Sequence, residues 1–216
     1  TLAMSINLVF SILLTSAFFI SLFSANPSSA YVEARLHVGG LPTQPKDFND
    51  GFAGDYQTKL ILPFGSDLLW AEEQNPMMLG IRVENESSIA GNILKDKVEL
   101  DLYRFAAILA KRFERNRIYW GPIVTLGFFH MPRVEVQPIG GGRTTYVPSY
   151  SQSFTVGAEA GWHLDVFTLG AEAGFQQMLM GDFKDQDGNF LLTSSGSHKI
   201  GNFSGVFARF QMGFRF

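Results

Sequence analysis

The 216-residue chain sets 17 lysines and arginines against 20 aspartates and glutamates, a net charge of −3, and has no cysteine. A disulfide framework, a thiolate metal centre and a cysteine-linked lipid anchor are thereby excluded. The slight acidity argues against nucleic acid as a partner, because phosphate binding needs clustered Lys and Arg.

Residues 1–30 carry no charge. An apolar run from Leu8 to Phe23 ends in Ser24-Ala25-Asn26-Pro27-Ser28-Ser29-Ala30, and the small residues Ser28 and Ala30 fit the exit of a secretory signal peptide. Cleavage there would start the mature chain at Tyr31. No Lys or Arg precedes the run and the first residue is Thr1, so a start upstream of Thr1 is expected. The alternative is a retained helix, since the run approaches the ~18–20 residues that span a bilayer.

From Tyr31 onward the dominant pattern is alternation with period two, which sends successive side chains to opposite faces of a strand. In the first strand Val32, Ala34, Leu36 and Val38 oppose Glu33, Arg35 and His37; residues 41–55, with Pro42, Pro45, Gly51 and Gly54, form a loop. A second strand over about 56–64 sets Tyr56, Leu60 and Leu62 against Gln57 and Lys59, and a turn follows over 65–76. A third, about 77–84, sets Met77, Leu79, Ile81 and Val83 against Arg82 and Glu84, with 85–96 as loop.

Residues 97–113 fit two templates. Val98, Leu100 and Leu102 alternate with Glu99 and Asp101, yet Leu102, Phe105, Ala106, Leu109 and Phe113 also make a helical stripe. A strand with a bulge near Tyr103-Arg104 would keep Phe105, Ala107 and Leu109 on the apolar face. The fifth strand, about 117–130, opposes Ile118, Trp120, Val124, Leu126 and Phe128 to Tyr119, Gly121, Thr125 and Gly127, with Pro122 awkwardly inside it. A loop over 131–149 contains Gly140-Gly141-Gly142. The sixth strand, about 150–162, turns Phe154, Val156, Ala158, Ala160 and Trp162 outward against Thr155 and Glu159. The seventh, 166–179, does the same with Phe167, Leu169, Ala171, Ala173 and Phe175 against Thr168, Glu172 and Gln176. A loop over 180–202 leads to the last strand, where Val206, Ala208, Phe210, Met212, Phe214 and Phe216 alternate with Arg209, Gln211, Gly213 and Arg215, Phe207 being the exception.

Eight strands, each near the ~9–11 residues that cross a bilayer when tilted, imply an all-β, eight-stranded antiparallel transmembrane barrel over 31–216. The connections after strands one, three, five and seven are the long ones, which places 41–55, 85–96, 131–149 and 180–202 outside the cell when Phe216 is periplasmic. Trp70, Trp120 and Trp162 then fall at the periplasmic end with Phe64, Phe167 and Phe216 as an aromatic girdle, and Tyr56, Phe128, Tyr150, Phe154 and Phe175 collect at the other rim.

Over these residues the chain resembles the small eight-stranded outer-membrane barrels of the OmpA/OmpX type, and the stripe Phe210, Met212, Phe214, Phe216 resembles their C-terminal assembly signal. The resemblance implies residence in the outer membrane of a Gram-negative bacterium, contact with outer-membrane lipid, recognition by the barrel assembly machinery, and a monomer. It implies neither cofactor nor metal. The span 65–76 is long for a periplasmic turn in such a barrel, and no periplasmic domain follows Phe216 to suggest peptidoglycan anchoring.

The lumen of such a barrel is just wide enough to be filled by side chains. Glu33, Glu84, Glu99, Asp101, Glu159 and Glu172 against Arg35, Lys59, Arg82, Arg209 and Arg215 form the expected lumen network, near balance in sign, with Gln57, Gln176 and Gln211 between. A plugged barrel acting through its outer loops on an unidentified surface partner is the expected function; a narrow ion channel is the alternative. A lipid A-modifying enzyme is a third class, and catalysis is not expected: His130 has the right height but no serine two residues on. Asp185-Gln186-Asp187-Gly188-Asn189 departs from a calcium loop at its first and twelfth positions, Phe183 and Ser194, and reads as a turn.

Overall fold

A computed structural model describes residues 30–52, 57–72, 75–92, 96–137 and 141–216. The signal-peptide segment 1–29 and Tyr56 lie outside the described residues. The strands are β1 (Ala30–Pro42), β2 (Leu60–Glu72), β3 (Met77–Asn92), β4 (Asp96–Lys111), β5 (Phe113–Arg115), β6 (Ile118–Gln137), β7 (Thr144–Pro148), β8 (Ser151–Leu164), β9 (Phe167–Met180), β10 (Phe183–Lys184), β11 (Gly201–Asn202) and β12 (Gly205–Arg215). One short helix, α1 (Lys46–Asn49), stands among the described residues.

Antiparallel pairing runs β1–β2–β3–β4–β6–β8–β9–β12 and returns to β1, which closes a barrel of eight strands. The seam is made by the chain's last strand, from Gly40 opposite Ala208 to Glu33 opposite Arg215, and the Val32 and Phe216 backbones exchange hydrogen bonds of 3.1 and 2.9 Å. Closure removes the two free edges of an open sheet, so the paired ladder groups in the wall need no water.

The outer face is apolar and uncovered. On β12, Val206, Phe210, Met212, Phe214 and Phe216 all point outward, and Leu79, Ile81, Leu109, Val124, Leu126 and Val156 continue the band around the wall. From Val206 to Phe216, at ~3.3 Å per residue and a tilt near ~40°, the band is about 25 Å tall, the height of a hydrocarbon layer. Trp70, Trp120 and Trp162 are exposed at the end of the short turns, where Phe167 and Phe214 rings meet at 5.6 Å and Phe214 stacks on Phe216 at 6.4 Å.

Several expectations need correction. β2 reaches Glu72 and β3 begins at Met77, so most of the supposed turn over 65–76 is strand. Gly65-Ser66-Asp67 has turn composition, but pairing to β1 on one side and β3 on the other overrides that local preference. Phe64 consequently sits opposite Val38, six residues above Trp70, and is not in the girdle. The segment 85–92 is the upper half of β3, and much of 131–149 is strand in β6 and β7. Residues 97–111 form strand rather than helix, without a bulge at Tyr103-Arg104; the extra residue is Phe128 on β6, where pairing passes from Phe105–Phe129 to Ala106–Gly127. Pro122 is tolerated because the ladder beside it already lapses between the Ala110–Ile123 and Phe113–Trp120 pairs.

Candidate functional site: the lumen and its two caps

Apart from β6, whose parity changes at the Phe128 bulge, each wall strand contributes one parity to the interior. β1 sends in Glu33, Arg35 and His37; β2 Asp67; β3 Arg82, Glu84 and Glu86; β4 Arg104; β8 Glu159; β9 Glu172 and Gln176; β12 Arg209 and Gln211. Arg112 joins them just below β4. Among the described residues, Arg35, Arg82, Arg104, Arg112 and Arg209 thus face Glu33, Asp67, Glu84, Glu86, Glu159 and Glu172, all 3% exposed or less. Isolated charges could not persist there, and each is held by an opposite one.

The network climbs in linked steps. Near the short turns Arg112 donates from Nη1 to Glu33 at 2.6 Å and from Nε to Glu159 at 3.0 Å, with its guanidinium 4.0 Å over the Tyr119 ring. Arg35 joins Glu159, at 2.5 Å, to Asp67, at 3.0 Å. Arg82 holds Asp67 from Nε at 2.7 Å and Glu172 from Nη2 at 2.7 Å. Arg209 then spans Glu172 at 3.3 Å, Glu84 at 2.9 Å and the Gln176 amide oxygen at 2.9 Å. Arg104 closes on Glu84, and His37 Nε2 lies 2.9 Å from the same carboxylate. Glycines make room at the crowded points: a Cβ on Gly170 would lie 2.2 Å from the Tyr119 hydroxyl, and one on Gly65 2.9 Å from His37 Nε2.

Both ends of this polar column are sealed by hydrocarbon. At the short-turn end lie Tyr31, Leu69, Ala71, Met78, Ile108, Ala110 and Ile123. At the other, Leu41, Ile61, Leu100, Leu102, Met178, Phe183, Phe203 and Phe207 enclose Phe48 of α1, whose ring meets Phe203 at 5.0 Å and Phe183 at 5.4 Å. Phe207, the one break in the terminal alternation, belongs to this upper cap and carries the Arg209 guanidinium at 4.1 Å from its ring.

A clasp holds the loops over the upper cap. Lys199, buried, donates Nζ to the Phe48 carbonyl at 2.9 Å and to that of Asp50, and lies 4.2 Å over the Phe52 ring. Burial draws the Lys199 ammonium below its ordinary pKa. Asp50 accepts from the Ser194 hydroxyl at 2.9 Å and its N–H at 3.1 Å, which holds its carboxyl below the usual range.

The sequence list and the structure part at four lumen residues. Lys59 is exposed in the stretch before β2. Glu99 and Asp101 lie on the outer face of β4, Glu99 2.6 Å from Arg143 and Asp101 3.7 Å from Arg133, while Val98, Leu100 and Leu102 point in. That segment rises above the lipid-facing band, so the outside is aqueous and the inside is the cap, and polarity inverts. Arg215 sits at the rim, 3.3 Å from Glu114, with its guanidinium 3.5 Å over the Tyr31 ring. Asp67, Glu86, Arg104 and Arg112 were missed. Asp67 and Glu86 fell in spans read as turn and loop, though the parity of Arg82 and Glu84 leads directly to Glu86. Arg104 was detectable as one cation among the inward apolar residues Leu100, Leu102, Ala106 and Ile108.

No protein-family model matches the chain, and no curated relative matches it. Among solved structures it is similar to Ail, the attachment invasion locus protein of Yersinia pestis, at 10% identity and a TM-score of 0.48 over 88% of this chain and 99% of that one. Neisserial surface protein A is similar at 13% identity and a TM-score of 0.40, over 86% and 95% of the two chains. The outer-membrane protease OmpT of Escherichia coli gives 8% identity and a TM-score of 0.35, over 88% and 97%. The barrel itself is defined by this chain's own closed register.

Proposed function

We propose that the protein is an integral barrel of a Gram-negative outer membrane, sealed along its axis, which acts through the surface it raises outside the cell. The observation that carries this is the inversion of an ordinary protein: hydrocarbon covers the outside of a closed wall while a column of interlinked charges fills the inside. Only a lipid solvent stabilises that arrangement.

With the short turns periplasmic, β3, β4 and β6 extend past the apolar band, and Glu99 and Asp101 of β4, Arg133 of β6 and Arg143 just before β7 form a raised, water-facing wall over the buried Glu135. Beside it the clasped loops form a firm platform. A rigid, charged surface rising from the headgroup level suits contact with another macromolecule better than transport through a filled lumen.

The test is single-channel conductance of the mature chain in a planar bilayer, after its heat-dependent gel shift has shown folding. A folded, electrically silent barrel is expected. Discrete steps that vanish when Glu172 or Arg209 is substituted would overturn the sealed lumen. An epitope inserted after Gly188 should be reached by antibody on intact cells; labelling only after permeabilisation would reverse the orientation.

A further inference from the structure

The barrel wall parts between β6 and β8. Their ladder ends at the Gly127–Ser153 pair, and β6 is next paired on that side at Val134–Tyr146, to β7. Over the gap the opposing chain bonds sideways instead: Ser149 N–H donates to the Asp182 carbonyl and Gly181 N–H to that of Tyr150. The separation starts at the Phe128 bulge, and Pro132 and Pro148, which have no N–H to offer, stand at its two lips.

What opens is an outward-facing cleft of about 700 Å³. Its floor is shut off from the lumen. His130 Nε2 lies 2.9 Å from Ser153 Oγ, which accepts from Arg104 Nη1 at 3.1 Å, and a Cβ on Gly127 would lie 2.5 Å from both atoms of the His130–Ser153 pair. Glycine at 127 is therefore what lets the imidazole lie across the gap.

The cleft is polarised along the barrel axis. Its lower walls continue the hydrocarbon band with Phe128 64%, Phe129 50% and Tyr150 57% exposed, together with Met131 and Val147. Its upper end is the Arg133 guanidinium, half exposed, 3.2 Å from Glu135 and 3.7 Å from Asp101. Both contacts use Nη2, and the half-exposed guanidinium keeps part of its fork open to the cleft mouth. An interrupted ladder does not stand bare against hydrocarbon, so the occupant must bring polar groups as well as a chain. A membrane amphiphile in the outer leaflet has that order, chain below and charged head above.

We propose, on the strength of the membrane-spanning barrel above, that the cleft is a specific site for one phosphorylated acyl lipid of the surrounding leaflet. One chain lies along Phe128, Phe129, Met131, Val147 and Tyr150, and the phosphate meets the open edge of the Arg133 fork, the geometry in which guanidinium binds phosphate best.

The mature chain, inserted into phosphatidylcholine vesicles containing phosphatidylglycerol or diacylglycerol, is transferred to mild detergent and retained lipid is counted by native mass spectrometry. One phosphatidylglycerol per chain should be retained, and diacylglycerol should not. Arg133→Gln should weaken retention about tenfold, the loss of one charge-assisted contact. Met131→Trp, which fills the cleft, should abolish it, and Leu79→Trp, elsewhere on the apolar band, should leave it intact. Equal retention by wild type and Met131→Trp would make the lipid a non-specific annulus and overturn the site. A chain that inserts, shows its gel shift and keeps no lipid overturns the site alone; one that never inserts overturns the membrane barrel with it.

Discussion

Arg82 bridges two buried carboxylates at the middle of the lumen, and replacing it tests whether the charge column holds the barrel together. Its guanidinium is fully buried between Asp67, at 2.7 and 3.0 Å, and Glu172, at 2.7 and 3.3 Å. Arg82→Met keeps the length of the stem but leaves two buried carboxylates short of their main partner. Removing one member of a buried pair costs about 3–5 kcal/mol. Asp67 keeps Arg35 at 3.0 Å, and Glu172 keeps Arg209 at 3.3 Å and the Gln211 amide at 3.0 Å. The lower end, about 3 kcal/mol or roughly a hundredfold in the folding equilibrium, is therefore expected. The assay is urea unfolding of the protein in lipid vesicles, followed by tryptophan fluorescence and checked by the gel shift. Combining Arg82→Met with Asp67→Asn and Glu172→Gln should recover most of the loss, because the damage lies in unpaired charge rather than lost volume. A single variant within about 0.5 kcal/mol of wild type would refute the reasoning, since only a wet, screened lumen would forgive it.

The lipid-facing band predicts a dependence on depth: Val124→Lys at mid-band should cost about 2–4 kcal/mol and Ile118→Lys near the turn about 0–1 kcal/mol in the same unfolding assay, with equal costs counting against the band. Phe216→Ala keeps the backbone bonds to Val32 that complete the seam, so it should refold in detergent like wild type yet reach the outer membrane of cells in reduced amount, which pulse-labelled fractionation would measure. The Asp50–Ser194 clasp should respond to acid. The Asp50 carboxyl is held below its ordinary value of 3.8 by the Ser194 hydroxyl, so its contribution is complete above that value and is lost as pH falls through the lower folded one. Hydrogen exchange at the Ser194 amide should accelerate, beyond its intrinsic pH dependence, as the pH falls below 3.8, and unchanged protection would remove Asp50 from the clasp.

Alternation alone determined the architecture: apolar residues at every second position over 32–38, 77–83, 154–164, 167–175 and 206–216 demand a two-faced wall. Period two is a backbone property, so parity survives whatever the strand packs against. Strand ends are not. Gly65-Ser66-Asp67 and Asn85–Ser88 have the composition of turns, and only their partners on both sides make them strand. Nor does alternation say which solvent lies outside. Along β4 one face stays inward throughout, but below, its neighbour is Arg104 in the charge column, and above, Leu100 in a cap built partly from α1, whose Phe48 is distant in sequence. The cleft beside Phe128 was equally invisible, because a break between two strands is a relation of registers, and registers exist only once the barrel has closed.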